Sequence, residues 1–489
     1  MTVTASVRPE VLPAAPKDLF IDGVWTKAAE GRTFRVLDPG TGEVLCTVAD
    51  ASPADGRRAL EAAVAAQSAF AALTPRERQQ ILHRALALVA ERREDLATIL
   101  TLESGKPLHE SRAELTSVAE WIQHFAEEAV RVHGSFQENP GVNGRMIVTK
   151  QPIGPSILIT PWNFPLSQAV RKLAPAIAAG CTSVVKPAKE TPLAVLAFVK
   201  LLADAGVPPG AVNAVTTSES NAVMEPLIRS GLARKLSFTG STPVGVRLLE
   251  QAAEQVLSCS MELGGNAPFI VFEDADLDVA VDSLMVNKMW NCGQTCTSAN
   301  RVFVHATLMD EFERRVTERL APMVQGHGMD DGVTLGPLVN ERQVRHVQAM
   351  VDDAVGHGAR LVMGGHRLDR PGTFYPPTVL RDVPASAELM REEVFGPVVA
   401  LIPFEEETDV VQRANDTDYG LVSYVFTESL RRAVRVAEAL ESGNVGLNRG
   451  TVAYAAAPFG GTKRSGLGRE GATEGIEEFL ETKFVALQL

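Results

Sequence analysis

From about Met146 onward the chain repeats one pattern, short runs of β-branched and apolar residues separated by stretches with helical spacing. The runs are Ser156 to Thr160, Thr182 to Val185, Val212 to Val215, Leu236 to Phe238 and Phe269 to Phe272. Such alternation predicts parallel strands joined by crossover helices, hence an α/β fold. A second series begins near Leu263 and takes in Arg301 to Val304, Val398 to Ile402, Val422 to Phe426 and Asn444 to Leu447, so two α/β domains are expected. No internal repeat, low-complexity block or long Gly/Ser linker separates them. A broad shared interface, with a ligand cleft along it, is the expectation.

Before Met146 the pattern is mainly helical. Thr74-Pro75-Arg76-Glu77 has the form of a capping box with proline at the first helical position, and Ile81, Leu82, Leu86, Leu88 and Val89 follow at helical spacing. Leu19 to Trp25 reads as one short strand, and Asp38-Pro39-Gly40-Thr41-Gly42 as a turn into a strand from Val44 to Val48.

Composition bounds the rest. A chain of 489 residues, 45% hydrophobic and 22% charged, is too long for one core and too apolar to be disordered. No apolar run approaches the roughly 20 residues of a membrane helix. The start, MTVTASVRPEVLPAAPK, carries proline and charge where a leader needs an apolar stretch. No membrane partner is expected, and a cytoplasmic location is. A net charge of −13 opposes binding to phosphate backbones, so nucleic acid is not an expected partner. The five cysteines are odd in number and lack CxxC spacing, which argues against a disulfide framework and against a metal site. One of them is free to be a working thiol.

Candidate chemistry gathers in four segments. Asn291-Cys292-Gly293-Gln294-Thr295-Cys296 places a thiol in a glycine-containing loop whose backbone N–H groups can approach an oxyanion. Met261-Glu262-Leu263-Gly264-Gly265-Asn266 puts a carboxylate in an apolar setting, where desolvation raises its pKa towards that of a general base. Pro161-Trp162-Asn163-Phe164-Pro165 follows a strand, and its two prolines hold Asn163 rigidly, as an oxyanion donor requires. Phe238-Thr239-Gly240-Ser241-Thr242 supplies strand, tight turn and helix start, which suits a pyrophosphate. The one GxGxxG match, Gly466 to Gly471, follows no strand and lies outside the alternating region, so it is read as false. Taken singly, a buried apolar cysteine, a paired core carboxylate and a structural turn would account for these features as well.

Taken together they do not stand singly. TPWNFP around Asn163, VVKPA around Lys186, SFTGST ending at Thr242, MELGGNAP around Glu262, GQTC ending at Cys296, REEVFGP around Glu393 and PFGGTKRSGLGRE ending at Glu470 resemble, in this order, the aldehyde dehydrogenase superfamily. The resemblance runs from about Leu19 to the C-terminus. It implies a Rossmann-type cofactor domain (residues 1–129 and 153–262), an α/β catalytic domain (263–464), and a small β oligomerisation extension with the C-terminal segment (130–152 and 465–489). It also implies a homodimer or homotetramer that oxidises an aldehyde to a carboxylic acid with NAD(P). By the same resemblance Cys296 is the nucleophile, the Asn163 amide and the Cys296 N–H hold the oxyanion, Glu262 activates water, and Lys172 with Glu470 forms a proton path. Glu393 is assigned to the nicotinamide ribose, Phe395 to the nicotinamide side, and Gly240 and Ser241 to the pyrophosphate. Lys186 is assigned to the adenosine ribose, and Thr160 and Trp162 to the cofactor cleft.

Some positions depart from the pattern. Members that prefer NAD commonly carry glutamate three residues after the lysine, where this chain has Lys189. A carboxylate repels a 2′-phosphate and a lysine pairs with it, so NADP is the expected preference with NAD accepted. FAEEAVRVHG, RKLAPAIAAGCT and GREGATEGIEEFLETKF resemble the succinic semialdehyde dehydrogenases, and Arg171 matches an arginine that grips the substrate's distal carboxylate there. Trp290 stands where a second arginine is usual, and Ala453 where a serine donates. A semialdehyde or related acidic aldehyde with a broadened range is expected, an aromatic or aliphatic aldehyde being the alternative. Thr297 and Ser298 replace a neighbouring second cysteine, so no redox switch is expected. A non-catalytic relative, a cofactor-free hydrolase and acyl transfer to coenzyme A are disfavoured by the joint presence of Asn163, Glu262, Cys296 and the cofactor residues.

Overall fold

A computed structural model of the chain describes residues 11–489. The first ten residues, which belong to the tail read above for leader character, lie outside the described residues. Among the described residues no helix is long and apolar enough to cross a membrane.

The strands predicted from Ser156 to Phe238 form the middle of an eight-stranded sheet. Its order in space is Val24–Thr26, Leu19–Ile21, Val212–Ala214, Ser183–Lys186, Ser156–Ile159, Lys235–Thr239, Ser258–Glu262 and Gly466–Leu467. The five inner strands from Val212–Ala214 to Ser258–Glu262 are parallel, and the edges are antiparallel. Every residue of Ser156–Ile159, Ser183–Lys186 and Lys235–Thr239 is buried, as parallel strands covered by helices on both faces must be. From Ser156–Ile159 the chain steps outward through Ser183–Lys186 to Val212–Ala214, then returns to Lys235–Thr239 on the other side. The crevice where this order reverses lies between the C-terminal ends of Ser156–Ile159 and Lys235–Thr239, the place where open α/β sheets take ligands.

The second series forms a seven-stranded sheet, ordered Arg360–Met363, Thr378–Arg381, Val398–Phe404, Ala299–His305, Ala267–Val271, Val422–Phe426 and Asn444–Leu447. Only its Arg360–Met363 edge is antiparallel. The two sheets are joined by four residues, Leu263 to Asn266, and the chain comes back beside the same point. The Leu263 N–H donates to the Ser465 carbonyl at 2.9 Å, and the Ser465 hydroxyl donates to the Gly264 carbonyl at 2.7 Å. A third, antiparallel sheet pairs Gly144–Pro152 with both Ser135–Glu138 and Leu480–Gln488.

The capping box forms as read. The Thr74 hydroxyl accepts from the Glu77 N–H at 3.2 Å and the Glu77 carboxylate accepts from the Thr74 N–H at 2.7 Å. Leu19 to Trp25 differs from the reading. It is a hairpin, Leu19–Ile21 against Val24–Thr26, because Asp22 and Gly23 both take positive φ (53° and 77°) in a two-residue turn whose twist matches paired strands. Ser258–Glu262, Arg360–Met363 and Thr378–Arg381 are strands that the pattern did not announce. The GxGxxG segment is not a nucleotide turn. Gly466–Leu467 is an edge strand beside Met261 and Glu262, where a Cβ on Gly466 would overlap the Met261 carbonyl.

Candidate active site

Cys296 follows a loop that the backbone does not adopt freely. Asn291, Cys292 and Gly293 take φ of 49°, 56° and 73°, and two of these three carry a Cβ. Left-handed non-glycine residues cost about 1–3 kcal/mol each and persist only where surroundings over-determine them. Here the Gln294 side chain donates to the Asn291 carbonyl at 2.9 Å and accepts from the Val339 N–H at 2.8 Å. The Asn291 N–H donates to the Glu110 carboxylate at 2.8 Å. Gly265 lies flat against the far side, where a Cβ would come 2.6 Å from the Cys296 carbonyl oxygen. Burial pushes the half-buried Cys296 thiol up to about 12. Glu393, Glu262 and Glu470 add to the shift and Arg171 opposes it.

Asn163 is brought to this loop from the end of the Ser156–Ile159 strand. One N–H of its amide donates to the Gln294 carbonyl at 3.0 Å, which leaves the other N–H unassigned. Its backbone carbonyl accepts from Lys106 Nζ at 2.8 Å and from the Asn291 side chain at 2.9 Å. Asn163 and the loop before Cys296 are thus tied in two places, and Lys106 holds Asn163 from a third side.

Glu262 ends the Ser258–Glu262 strand, with one carboxylate oxygen buried and unpartnered. Burial raises its pKa well above the ordinary range, and Glu470 adds to this, while Lys172, Arg171 and Arg469 oppose it. Behind it Lys172 Nζ donates to Glu470 at 2.7 Å, both groups being buried. Burial and the Glu470 carboxylate together thus favour the protonated form of Glu262.

Residues read as cofactor ligands gather at the strand-order reversal. Thr160 and Thr239 present buried hydroxyls without partners there. Ser241 heads the Thr242–Ala253 helix without capping it, so its hydroxyl and the helix N-terminus are open to an anion. The Trp162 ring meets the Phe395 ring edge-on, with centroids 5.3 Å apart. Lys186 is buried and donates to the Ser220 hydroxyl at 2.9 Å. Burial lowers its ammonium to about 8, with Glu190 opposing and Lys189 adding to the shift. Lys189 itself is exposed. Glu393 accepts from the Gly265 N–H at 3.4 Å and is raised to about 8, chiefly by burial. Unpartnered hydroxyls, an uncapped helix start and a lysine without a carboxylate partner are the donors that a nicotinamide dinucleotide would use, so the residues fit that group.

On the substrate side the Arg171 guanidinium is sandwiched between the rings of Trp121 (4.4 Å) and Phe459 (5.3 Å). Its Nε has no partner, and its Nη1 lies 3.7 Å from Glu470. Trp290 is half-buried at the end of the Leu277–Met289 helix and Ala453 is exposed. Asn287, three residues before Trp290 on that helix, donates through its side chain to the carbonyls of Thr297 and Gly450. Lys106, Glu110 and Glu114 belong to none of the motifs above, yet they pack behind the site. The signal was present, because Glu110 and Glu114 continue the stripe of Val118, Trp121 and Phe125 at helical spacing on the buried face of Leu108–Glu128. Charges in an apolar stripe need partners. Among the described residues no cluster of His, Cys, Asp and Glu could hold a metal.

Similarity to known proteins extends over nearly the whole chain. Succinate-semialdehyde dehydrogenase of Paenarthrobacter nicotinovorans is 48% identical, across 91% of this chain and 99% of its own. The NADP(+) succinate-semialdehyde dehydrogenase of Escherichia coli strain K12 is 46% identical, across 96% and 97%. The crystal structure of succinate-semialdehyde dehydrogenase from Burkholderia pseudomallei superposes with a TM-score of 0.96 at 44% identity, across 98% of this chain and 99% of that one. The model of the family described as "Aldehyde dehydrogenase family" matches residues 25–485, and the chain belongs to that family.

Proposed function

We propose that the protein oxidises a semialdehyde or related acidic aldehyde to its carboxylic acid, with NADP preferred and NAD accepted. The observation that carries the chemistry is the meeting of a thiol, an amide donor and a buried carboxylate with an unpartnered oxygen at the junction of the two sheets. When bound, the nicotinamide dinucleotide supplies the hydride acceptor. Cys296 Sγ, once deprotonated, bonds the aldehyde carbon, and the Asn163 amide with the Cys296 N–H holds the resulting oxyanion. Loss of hydride from that carbon leaves a thioester on Sγ. Glu262 takes a proton from water, the water oxygen attacks the acyl carbon, and Cys296 departs as thiolate. The Lys172–Glu470 pair carries the proton away from Glu262.

Arg171 supports the acidic substrate. It is buried, cationic and only loosely paired, which favours a ligand acid group over continued isolation. The similarity to succinate-semialdehyde dehydrogenases at 46–48% identity points the same way. Trp290 adds no second cation and Ala453 no hydroxyl, which supports a range wider than one semialdehyde. The apolar Trp290 face is what favours the alternative, an aromatic or aliphatic aldehyde. Exposed Lys189, close enough to Lys186 to weigh on its ammonium, supports pairing with a 2′-phosphate. Its rival role is that of a solvated lysine beside Glu190.

Exposed apolar side chains on the third sheet, Phe136, Phe484, Val485 and Leu487, support burial against a second copy in a homodimer or homotetramer. Five free thiols support a cytoplasmic setting. The division into a cofactor part around the first sheet, a catalytic part around the second and an oligomerisation extension around the third follows the same reading. Nicotinamide reduction, followed without coenzyme A across succinic and glutaric semialdehyde, benzaldehyde and straight-chain aldehydes, tests the activity. Loss of all turnover in Cys296→Ala is expected, and absence of any acidic aldehyde among the good substrates would overturn the substrate class.

A further inference from the structure

A buried charged network lies behind the site and meets it only through the backbone of Asn163 and Asn291. Lys106 follows Gly105 and precedes Pro107 at the start of the Leu108–Glu128 helix, and its side chain is fully buried. Its Nζ bonds Glu114 at 2.6 Å, lies 4.2 Å from the centre of the Phe164 ring, and donates to the Asn163 carbonyl at 2.8 Å. Glu114 turns its other oxygen to the N–H groups of Leu166 and Ser167, at 3.1 and 3.0 Å. Those groups open the Pro165–Ala179 helix, which has no side-chain cap of its own. One helical turn earlier, Glu110 accepts the Asn291 N–H at 2.8 Å, in the strained loop that precedes Cys296. Among the described residues Lys106 is the one cation ion-paired to this cluster, and burying it with three carboxylates nearby (Glu103, Glu110, Glu114) is costly unless the geometry returns something.

We infer that Lys106 and Glu110 are positioning residues that brace the two halves of the oxyanion site, Lys106 through the Asn163 carbonyl and Glu110 through the Asn291 N–H. This rests on the reading of Asn163 and Cys296 given above. Both braces spring from one rigid piece, the first two turns of a single helix with the residue pair before it. Asn163 and the Cys296 loop, which come from different sheets and stand 128 residues apart at their Asn291–Asn163 contact, are thereby held to a common frame. The Asn163 peptide is fixed from its carbonyl side, so its amide side chain is left to aim at the reacting oxygen. An oxyanion donor displaced by a fraction of an ångström loses most of its effect, about 10²–10³-fold in turnover when removed outright.

The test is a cycle on kcat. Lys106→Met is made together with Glu114→Gln, so that no unpaired carboxylate is stranded, and the pair is combined with Asn163→Ala. Bracing predicts a fall in kcat of about 10- to 100-fold with cofactor and aldehyde KM changed by less than about threefold. It also predicts no further loss when Asn163→Ala is already present. Cys296 alkylation by iodoacetamide, which needs no oxyanion donor, should keep its wild-type rate. Full additivity of the two losses would overturn the inference, as would a change confined to KM. Glu110 gives a second arm should the Lys106 variant not fold. Glu110→Gln keeps a carbonyl acceptor for Asn291 and should retain activity, whereas Glu110→Leu should lose it, and equal loss in both overturns the brace. Full kcat in Asn163→Ala alone would overturn the oxyanion reading itself, whatever Lys106 does.

Discussion

A thiol held up to about 12 is almost wholly protonated at neutral pH, so the nucleophile has to be generated rather than stored. Burial is the main cause and the Glu393 carboxylate the next. Alkylation of Cys296 by iodoacetamide in the cofactor-free protein should therefore keep rising through about pH 9, and a plateau below that would contradict the assignment. Above about pH 8, where Glu393 is ionised, Glu393→Gln removes a neighbouring negative charge and should speed alkylation at fixed pH. Glu262 makes a different prediction. With Glu262→Gln the thioester forms but is not hydrolysed, so a burst of about one reduced nicotinamide per site should precede a slow steady state; a loss of the burst itself would place Glu262 before the thioester. At the opposite edge Lys189→Glu should shift the NADP-to-NAD ratio of kcat/KM towards NAD by about 10- to 100-fold, since one charge contact to phosphate is commonly worth about 1.5–3 kcal/mol. Cys296, Glu262, Asn163, Glu393 and Lys189 could be proposed from the chain alone because each sits in a short motif with fixed neighbours. Glu110 stood out only as a charge on an apolar helical stripe, and the partners of Lys106 and Glu110 could not be read because distant segments supply them.

At the level of elements, local signals were read and distant ones were missed for the same reason. The Thr74 box needs only residues three apart, and it forms. The Leu193–Asp204 helix takes its cap from Glu103, which accepts the N–H groups of Leu193 and Ala194 at 2.7 and 2.9 Å from 90 residues away. The Pro165–Ala179 helix takes its cap from Glu114, 52 residues away. No window along the chain contains both halves of either cap. Ser258–Glu262 escaped notice because Ser258, Cys259 and Ser260 lack the branched residues that mark a strand; pairing with Lys235–Thr239 makes it one. The Glu103 cap carries a pH signature, as does Glu110, which accepts the Asn291 N–H. Both are raised to about 8, mainly by burial. A carboxyl whose folded pKa is raised holds more protons in the native chain than in the unfolded one, so its contribution is present below the ordinary carboxylate range and is lost as pH climbs to about 8. Thermal midpoints should fall between about pH 6 and pH 8, and Glu103→Gln should flatten that decline. An unchanged slope in the variant would remove Glu103 as its source.

For the whole molecule, two sheets were legible because each is a run of buried strands with crossovers between them, and the third was expected only from the family resemblance. Its strands show no clean alternation, since Leu480–Gln488 is exposed almost throughout. If that face meets a second copy, Phe484→Glu with Leu487→Lys should shift the protein to monomer by light scattering while the site, which lies at the junction of the other two sheets, keeps its thiol chemistry. The junction has a further consequence. Residues 263 to 465 leave the first sheet and return to it through a single hydrogen-bonded crossing, so that the second sheet is inserted within the first. The last strand of the host, Gly466–Leu467, pairs with Met261 and Glu262, which are synthesised some two hundred residues earlier. On the ribosome the host sheet must wait, with the edge that carries Glu262 unpaired, until the insert has been made, and the order of translation thereby sets the order in which the molecule closes.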